Sequence, residues 1–193
     1  MLKTFIEIGT CDFDTNLPLI ASGEWRGVMC EPVQKFYSSL FEKSLKIPHR
    51  CNLAIENVAV SDRDGSVEMA VANEHSEEWT RGISHVVSEN HLGAMLSKEP
   101  LNIEKGRFEE QKTIVPCYTL DTLIKIHRMD FIDFLKIDTE GHELTILENY
   151  SWKIKPKFIK CEHKHTDDIR MKKILESHGY IVNVELDDIY AIR

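Results

Sequence analysis

Short apolar runs alternate along this chain with stretches whose apolar positions recur at helical spacing. The run Thr4-Phe5-Ile6-Glu7-Ile8 stops at Gly9 and predicts a buried strand followed by a turn. Residues 16–22 predict a short helix, and Gly27-Val28-Met29-Cys30 a second strand ending at Glu31-Pro32. Pro32 suits a first helical turn, and residues 33–45 carry apolar side chains at 33, 36, 37, 40, 41 and 45, which is helical spacing. Residues 51–60 predict a third strand, closed by the turn Ser61-Asp62-Arg63-Asp64-Gly65. Strand, helix, strand, helix, strand within 65 residues is the pattern of a parallel α/β sheet.

Further along, residues 66–72 predict an extra strand. Residues 73–112 are polar and aperiodic, with a helical stretch expected around 86–96, and predict an insertion that shapes the acceptor pocket. Its Trp79, Arg81, His85 and His91 suit stacking on a polar ring. Residues 113–118 predict a strand, and residues 119–127 a helix capped by Thr119. Regular alternation returns with a strand over 131–137 and a helix over 142–149. A strand over 158–161 and a helix over 167–178 follow, the latter capped by Thr166 and stopped at Gly179. Residues 180–186 and 189–192 predict a closing hairpin, which places an antiparallel strand at the edge of the sheet. The expectation is a single α/β domain over 1–193.

Composition narrows the function. The chain is acidic, with 24 basic and 32 acidic residues and a net charge of −8, so it lacks the basic footprint of a general nucleic-acid binder. Five cysteines at 11, 30, 51, 117 and 161 form no CxxC pair, which argues against a zinc knuckle and for reduced thiols. The first residues are too short and polar for a signal peptide. No apolar run approaches the roughly 20 residues that cross a bilayer. A cytoplasmic protein acting on a small molecule, without nucleic acid or membrane, is the expectation; the oligomeric state is left open.

In a doubly wound sheet, ligands bind beyond the carboxyl ends of the strands. Here the strands end at Glu7 to Asp12, at Glu31, at Asp138 and Glu140, and at Glu162 and His163. The first loop holds Gly9 with no second glycine, so it lacks the three-glycine fingerprint that admits a pyrophosphate. Its acidic Asp12 and Asp14 suit a cationic sulfonium better than a phosphate. Glu31, about 20 residues on, is placed to accept both hydroxyls of a ribose. Lys136 interrupts the apolar run of residues 134–137, and a buried ammonium calls for a partner, with Glu7 and Glu162 as candidates.

The run Asp133-Phe134-Leu135-Lys136-Ile137-Asp138-Thr139-Glu140-Gly141-His142-Glu143-Leu144-Thr145-Ile146-Leu147 resembles the central signature of the FkbM-type methyltransferases. Residues 5–14, Cys30-Glu31-Pro32, Asn57 to Asp62 with Gly65, and Thr119 to Leu123 agree with it in order and spacing. The resemblance implies a class I methyltransferase fold: a Rossmann-like, mostly parallel seven-stranded sheet in the order 3-2-1-4-5-7-6 with helices on both faces. It implies S-adenosylmethionine as cofactor, with Glu7, Gly9, Thr10, Cys11 and Asp12 near its methionine part. Glu31 and Pro32 then serve the ribose, and Asn57, Val58 and Ala59 the adenine. The family's first loop usually carries a small or polar residue and a second glycine where this chain has Cys11 and Phe13.

Transfer to an oxygen of a sugar or small metabolite needs a group that takes the hydroxyl proton. Asp138, Glu140 and His163 follow adjacent strands and are the catalytic candidates, His163 having the best-matched ordinary pKa. Glu143, close to Glu140 at a helix start, reads as structural. Carboxylates 138, 140 and 162 also suit a divalent metal, which is not favoured here, and a zinc site of Cys161, His163 and His165 is favoured less. The rival readings are a non-catalytic binding module of the same fold and an NAD(P)-dependent reductase.

Overall fold

The computed structural model describes residues 1–12, 15–72, 84–87 and 110–193. Its central sheet has seven strands: β1 (Lys3–Ile8), β2 (Trp25–Cys30), β3 (Leu53–Glu56), β8 (Phe134–Ile137), β9 (Phe158–Glu162), β10 (Ile181–Glu185) and β11 (Asp188–Ile192). They lie in the order β3-β2-β1-β8-β9-β11-β10. Counted within this sheet alone, that is 3-2-1-4-5-7-6. The neighbours from β3 to β9 run parallel, and β11 is antiparallel to both β9 and β10. The expected class I topology and terminal hairpin are both present.

Alternation along the strands sorts the core onto two faces. Ile6, Ile8, Val28, Cys30, Leu135 and Ile137 join one cluster, packed against α3 (Leu120–Ile126), α4 (Glu143–Asn149) and α5 (Asp168–Ser177). Phe5 and Met29 point the other way and meet Leu17 and Ile20 of α1 (Leu17–Ala21) and Leu40 of α2 (Gln34–Ser44). Both faces of the middle strands are therefore covered, which is why they read as near-continuous apolar runs. Thr119 caps α3 as expected, its hydroxyl accepting from the Thr122 N–H at 3.1 Å. At α5 the cap is Asp167 and not Thr166: the Asp167 carboxylate accepts from the Arg170 N–H at 3.0 Å. Among the described residues no helix is long and apolar enough to cross a membrane.

The strand expected over 51–60 is two strands in two sheets. Arg50–Asn52 form a 3-10 turn, Leu53–Glu56 pair with β2, and Ala59–Val60 form β4, which pairs with β7 (Glu110–Tyr118). Asn57 sits at the switch, and its amide donates to the carbonyls of Glu31 (2.8 Å) and Pro32 (3.1 Å). That ties the departing chain to the tip of β2. β5 (Gly65–Ala72) pairs antiparallel with β7 and with β6 (His85–Val86), completing a four-stranded second sheet in the order β4-β7-β5-β6. β7 begins at Glu110, three residues before the strand expected over 113–118. Val86 is strand rather than the start of a helix, and His85 is buried at 4% exposure. Val87 donates its N–H to the Glu68 carbonyl at 2.9 Å, and residues 88–96 of that expected helix lie outside the described residues, with Phe13, Asp14, Trp79, Arg81 and His91.

Candidate active site

A cleft opens where β1, β2 and β8 end, with the second sheet as its far wall; about 530 Å³ of space lies in it and its open mouth together. Gly9 makes the close approach there. Its φ is +76°, and a Cβ at this position would lie 1.7 Å from the carbonyl oxygen of Asp138. The N–H groups of Gly9 and Thr10 both donate to the Cys30 carbonyl, at 3.1 and 3.2 Å, and fold the tip of β1 over β2. Cys11 continues the turn with φ at +50°.

Glu31 is buried at 4% exposure, yet lines this cleft. Its two oxygens accept from the backbone N–H groups of Cys11 (2.6 Å) and Val33 (2.7 Å). Each carboxylate oxygen retains accepting capacity beyond one such bond. Burial pushes the Glu31 carboxyl up to about 7, against the pull of those two donors. At the opposite end stand Asp138, Thr139 and Glu140. Between the ends the wall is apolar: Pro32, Val33 and Phe36 on one side, Val58, Ala59 and Val60 on another. Met69 of β5 and Val86 of β6 complete it.

Eight of the expected residues line this space: Gly9, Cys11, Glu31, Pro32, Val58, Ala59, Asp138 and Glu140. Five others stand behind or beside it. Glu7 is fully buried and ion-paired to Lys136, with 3.3 Å between Oε1 and Nζ, and its other oxygen accepts from the Asn16 N–H at 2.9 Å. Burial raises the Glu7 carboxyl, and Lys136 counters it. Thr10 donates to the Glu7 carbonyl, and Asp12 is held by Ser39 (2.8 Å) and Lys43 of α2. Asn57 braces the β2 tip, as described above. His163 is turned from the cleft, its Nε2 3.1 Å from the Leu186 carbonyl and its backbone N–H bonded to Asp187. The turn at Lys164–His165 breaks the extended alternation, so it is His165 that reaches back, its Nε2 3.5 Å from Glu140 Oε2.

The two glutamates of the signature have different surroundings. Glu143, 1% exposed, accepts from the Thr139 N–H (2.6 Å), the Thr139 hydroxyl (2.8 Å) and the Gly141 N–H (3.0 Å), so it builds the loop. Glu140 takes a left-handed conformation in that loop, with φ at +56°, and lines the cleft. His142, also buried, sits 3.0 Å from the Ser61 hydroxyl and ties the loop to the end of β4. Burial drives its imidazole down to about 4, so it is neutral at physiological pH.

Asp138, Glu140 and Glu162 bring one oxygen each to within 4.8 Å of one another. Burial, then mutual repulsion, raises Glu140 to about 8 and Glu162 to about 9. A hard divalent ion would suit such oxygens. Cys161, by contrast, is fully buried in the core. With Glu143 raised by burial to about 7, four carboxyls here lie above their ordinary value of 4.5. The folded state then binds more protons than the unfolded chain between those values, and its stability falls as pH rises through them. Glu31 and Glu143, the two most buried, each contribute up to about 1.4 kcal/mol per pH unit while titrating. The ligand-free protein should melt at a higher temperature at pH 6 than at pH 8.5. A melting temperature that is flat or rises over that interval contradicts the burial of these groups.

The methyltransferase FkbM domain model matches residues 7–182. The chain belongs to that family. The family is one of S-adenosylmethionine-dependent methyltransferases, and the site fits the cofactor: a glycine turn without room for a Cβ, and a buried carboxylate facing the cleft. Among solved structures, the FkbM methyltransferase of Methylobacillus flagellatus KT aligns with 100% of this chain at a TM-score of 0.60 and 13% identity. This chain spans 44% of the length of that protein. A precorrin-6y C5,15-methyltransferase from Geobacter metallireducens GS-15 aligns over 100% of this chain and 80% of its own, at a TM-score of 0.48 and 12% identity. No curated protein matches the sequence. Fold and family thus agree with the central signature; Met69, Val86, Phe36 and Thr139 are lining residues the sequence did not single out for the site, and His165, read there only as a zinc candidate, stands beside Glu140.

Proposed function

We propose that this chain transfers a methyl group from S-adenosylmethionine to a hydroxyl oxygen of a small molecule or sugar. The observation that carries the reading is Glu31, a buried carboxylate that lines the cleft at the tip of the strand beside the Gly9 turn. Its remaining lone pairs accept the two ribose hydroxyls. The apolar wall of Val33, Phe36, Val58 and Val86 takes the flat base, and Gly9 lets the backbone come close to the amino-acid part. Asp138 and Glu140 then face the reacting end.

When bound, the sulfonium supplies an activated methyl carbon. The chain must hold the acceptor oxygen about 3 Å from it and in line. Glu140, raised to about 8, is poised near neutrality, so its ionised form takes the hydroxyl proton as the oxygen attacks. Asp138 orients the same hydroxyl. The apolar walls keep water from competing as acceptor. All five cysteines are free, which supports a cytoplasmic setting. The acidic net charge of −8 supports a small-molecule acceptor over nucleic acid.

The test is incubation with isotope-labelled S-adenosylmethionine and a panel of sugars and hydroxylated metabolites, the labelled carbon being located by NMR. Label on an ether oxygen is expected. Label on nitrogen or carbon, or no transfer to any hydroxyl in the panel, overturns the assignment to oxygen.

A further inference from the structure

The cleft has a charge problem at its reacting end, and the structure shows how one residue manages it. Glu140 projects there from a strained left-handed turn, φ +56°. Around it lie Asp138 and Glu143, both repelling its negative charge, and Lys164, which attracts it; Glu162 completes the close acidic group. Repulsion alone would swing a flexible glutamate out toward solvent. It does not swing out: its side chain is 20% exposed, and His165, itself 19% exposed, holds Oε2 from the side at 3.5 Å. His165 reaches this place because the chain turns at Lys164–His165 directly after β9.

A methyl donor and its product differ at this end of the cofactor by one positive charge. The sulfonium of S-adenosylmethionine is cationic; the thioether of S-adenosylhomocysteine is neutral. The Glu140 carboxyl, at about 8 without a ligand, gives up its proton more readily beside a cation, and the carboxylate so formed, fixed nearby, favours the first over the second, whereas a mobile, water-screened one does so far less. We infer that His165 is a positioning residue that pins the Glu140 carboxylate against the reacting end of the cleft, and that this pair makes the protein prefer the sulfonium donor to its neutral product. The inference rests on the cofactor reading above. It gives the site a means of exchanging spent product for fresh donor, independent of the acceptor.

Calorimetry of the whole chain tests it without any acceptor, by titrating S-adenosylmethionine and S-adenosylhomocysteine separately. Glu140→Gln and His165→Leu should each lower the donor-to-product affinity ratio about ten-fold, through weaker donor binding, with product affinity within about two-fold of the parent. His165→Gln, which keeps a donor nitrogen on a side chain of similar reach, should restore most of the ratio. Circular dichroism melts confirm that each variant is folded, and Glu140→Gln carries the test if His165→Leu is not. Equal losses for both ligands mark a structural role and overturn the inference, as does an unchanged ratio. If the parent binds neither ligand, the cofactor reading fails, and this one with it.

Discussion

A Gly9→Ala protein is expected to bind no measurable S-adenosylhomocysteine and to lose about 3 kcal/mol of stability. Two effects add at this position. The backbone φ of +76° lies in the left-handed region, where a side chain costs roughly 1–2 kcal/mol. The added methyl would also sit 1.7 Å from the Asp138 carbonyl oxygen and 2.7 Å from its carbon, and both are backbone atoms at the end of a central strand. Overpacking of that kind typically costs about 1–3 kcal/mol. The strain relaxes only if the tips of β1 and β8 separate, and those tips are two walls of the cleft. Urea denaturation and calorimetry check the two outcomes. Parental stability together with parental affinity would show that the tips do not meet as described.

Lys136→Met should destabilise the protein by about 3–5 kcal/mol, because it strands a buried carboxylate. Lys136 is 5% exposed and Glu7 is 0% exposed, and they are register partners on adjacent parallel strands, so both project to the same face. Asp138 lies 3.9 Å from the same ammonium. Methionine fills the volume of the lysine but leaves Glu7 with the Asn16 N–H as a partner and no cation. The double variant Glu7→Gln/Lys136→Met should recover much of the loss, since the amide carries no charge to strand. Urea denaturation at pH 7 reads both. A single variant within about 1 kcal/mol of the parent contradicts the pairing.

The sequence left two partners open for Lys136, and the sheet chooses between them. On β9 its register partner is Lys160, which pairs instead with Asp188 at 3.0 Å; on β1 it is Glu7. Strand pairing across about 130 positions is not written in local periodicity. What was legible is what depends on a strand being buried on both faces: the apolar runs of residues 4–8, 27–30 and 134–137, each followed by a polar tip. Glu31, Asp138 and Glu140 were found by that rule, since a doubly wound sheet puts its chemistry beyond its carboxyl ends.

The second sheet was not legible in the same way. Leu53 to Val60 is apolar except for Glu56 and Asn57, and that pair alone marks the point where the chain changes sheets. Met69 and Val86 reach the cleft through antiparallel pairings that bridge long segments, and β6 is two residues long, too short for any period to show. Along an extended segment His163, the catalytic candidate, and His165 would share a face. The turn at Lys164–His165 separates them, sending one ring to the Leu186 carbonyl and the other to Glu140.

Isothermal calorimetry with S-adenosylhomocysteine, on the parent and on Glu31→Ala, addresses the central claim most directly. The parent should bind one molecule per chain. The variant, lacking the acceptor for two ribose hydroxyls, should bind about 100-fold more weakly, the equivalent of roughly 2.7 kcal/mol. A parent that binds none, or a folded Glu31→Ala protein that binds as tightly as the parent, would contradict the placement of the nucleoside at the tip of β2.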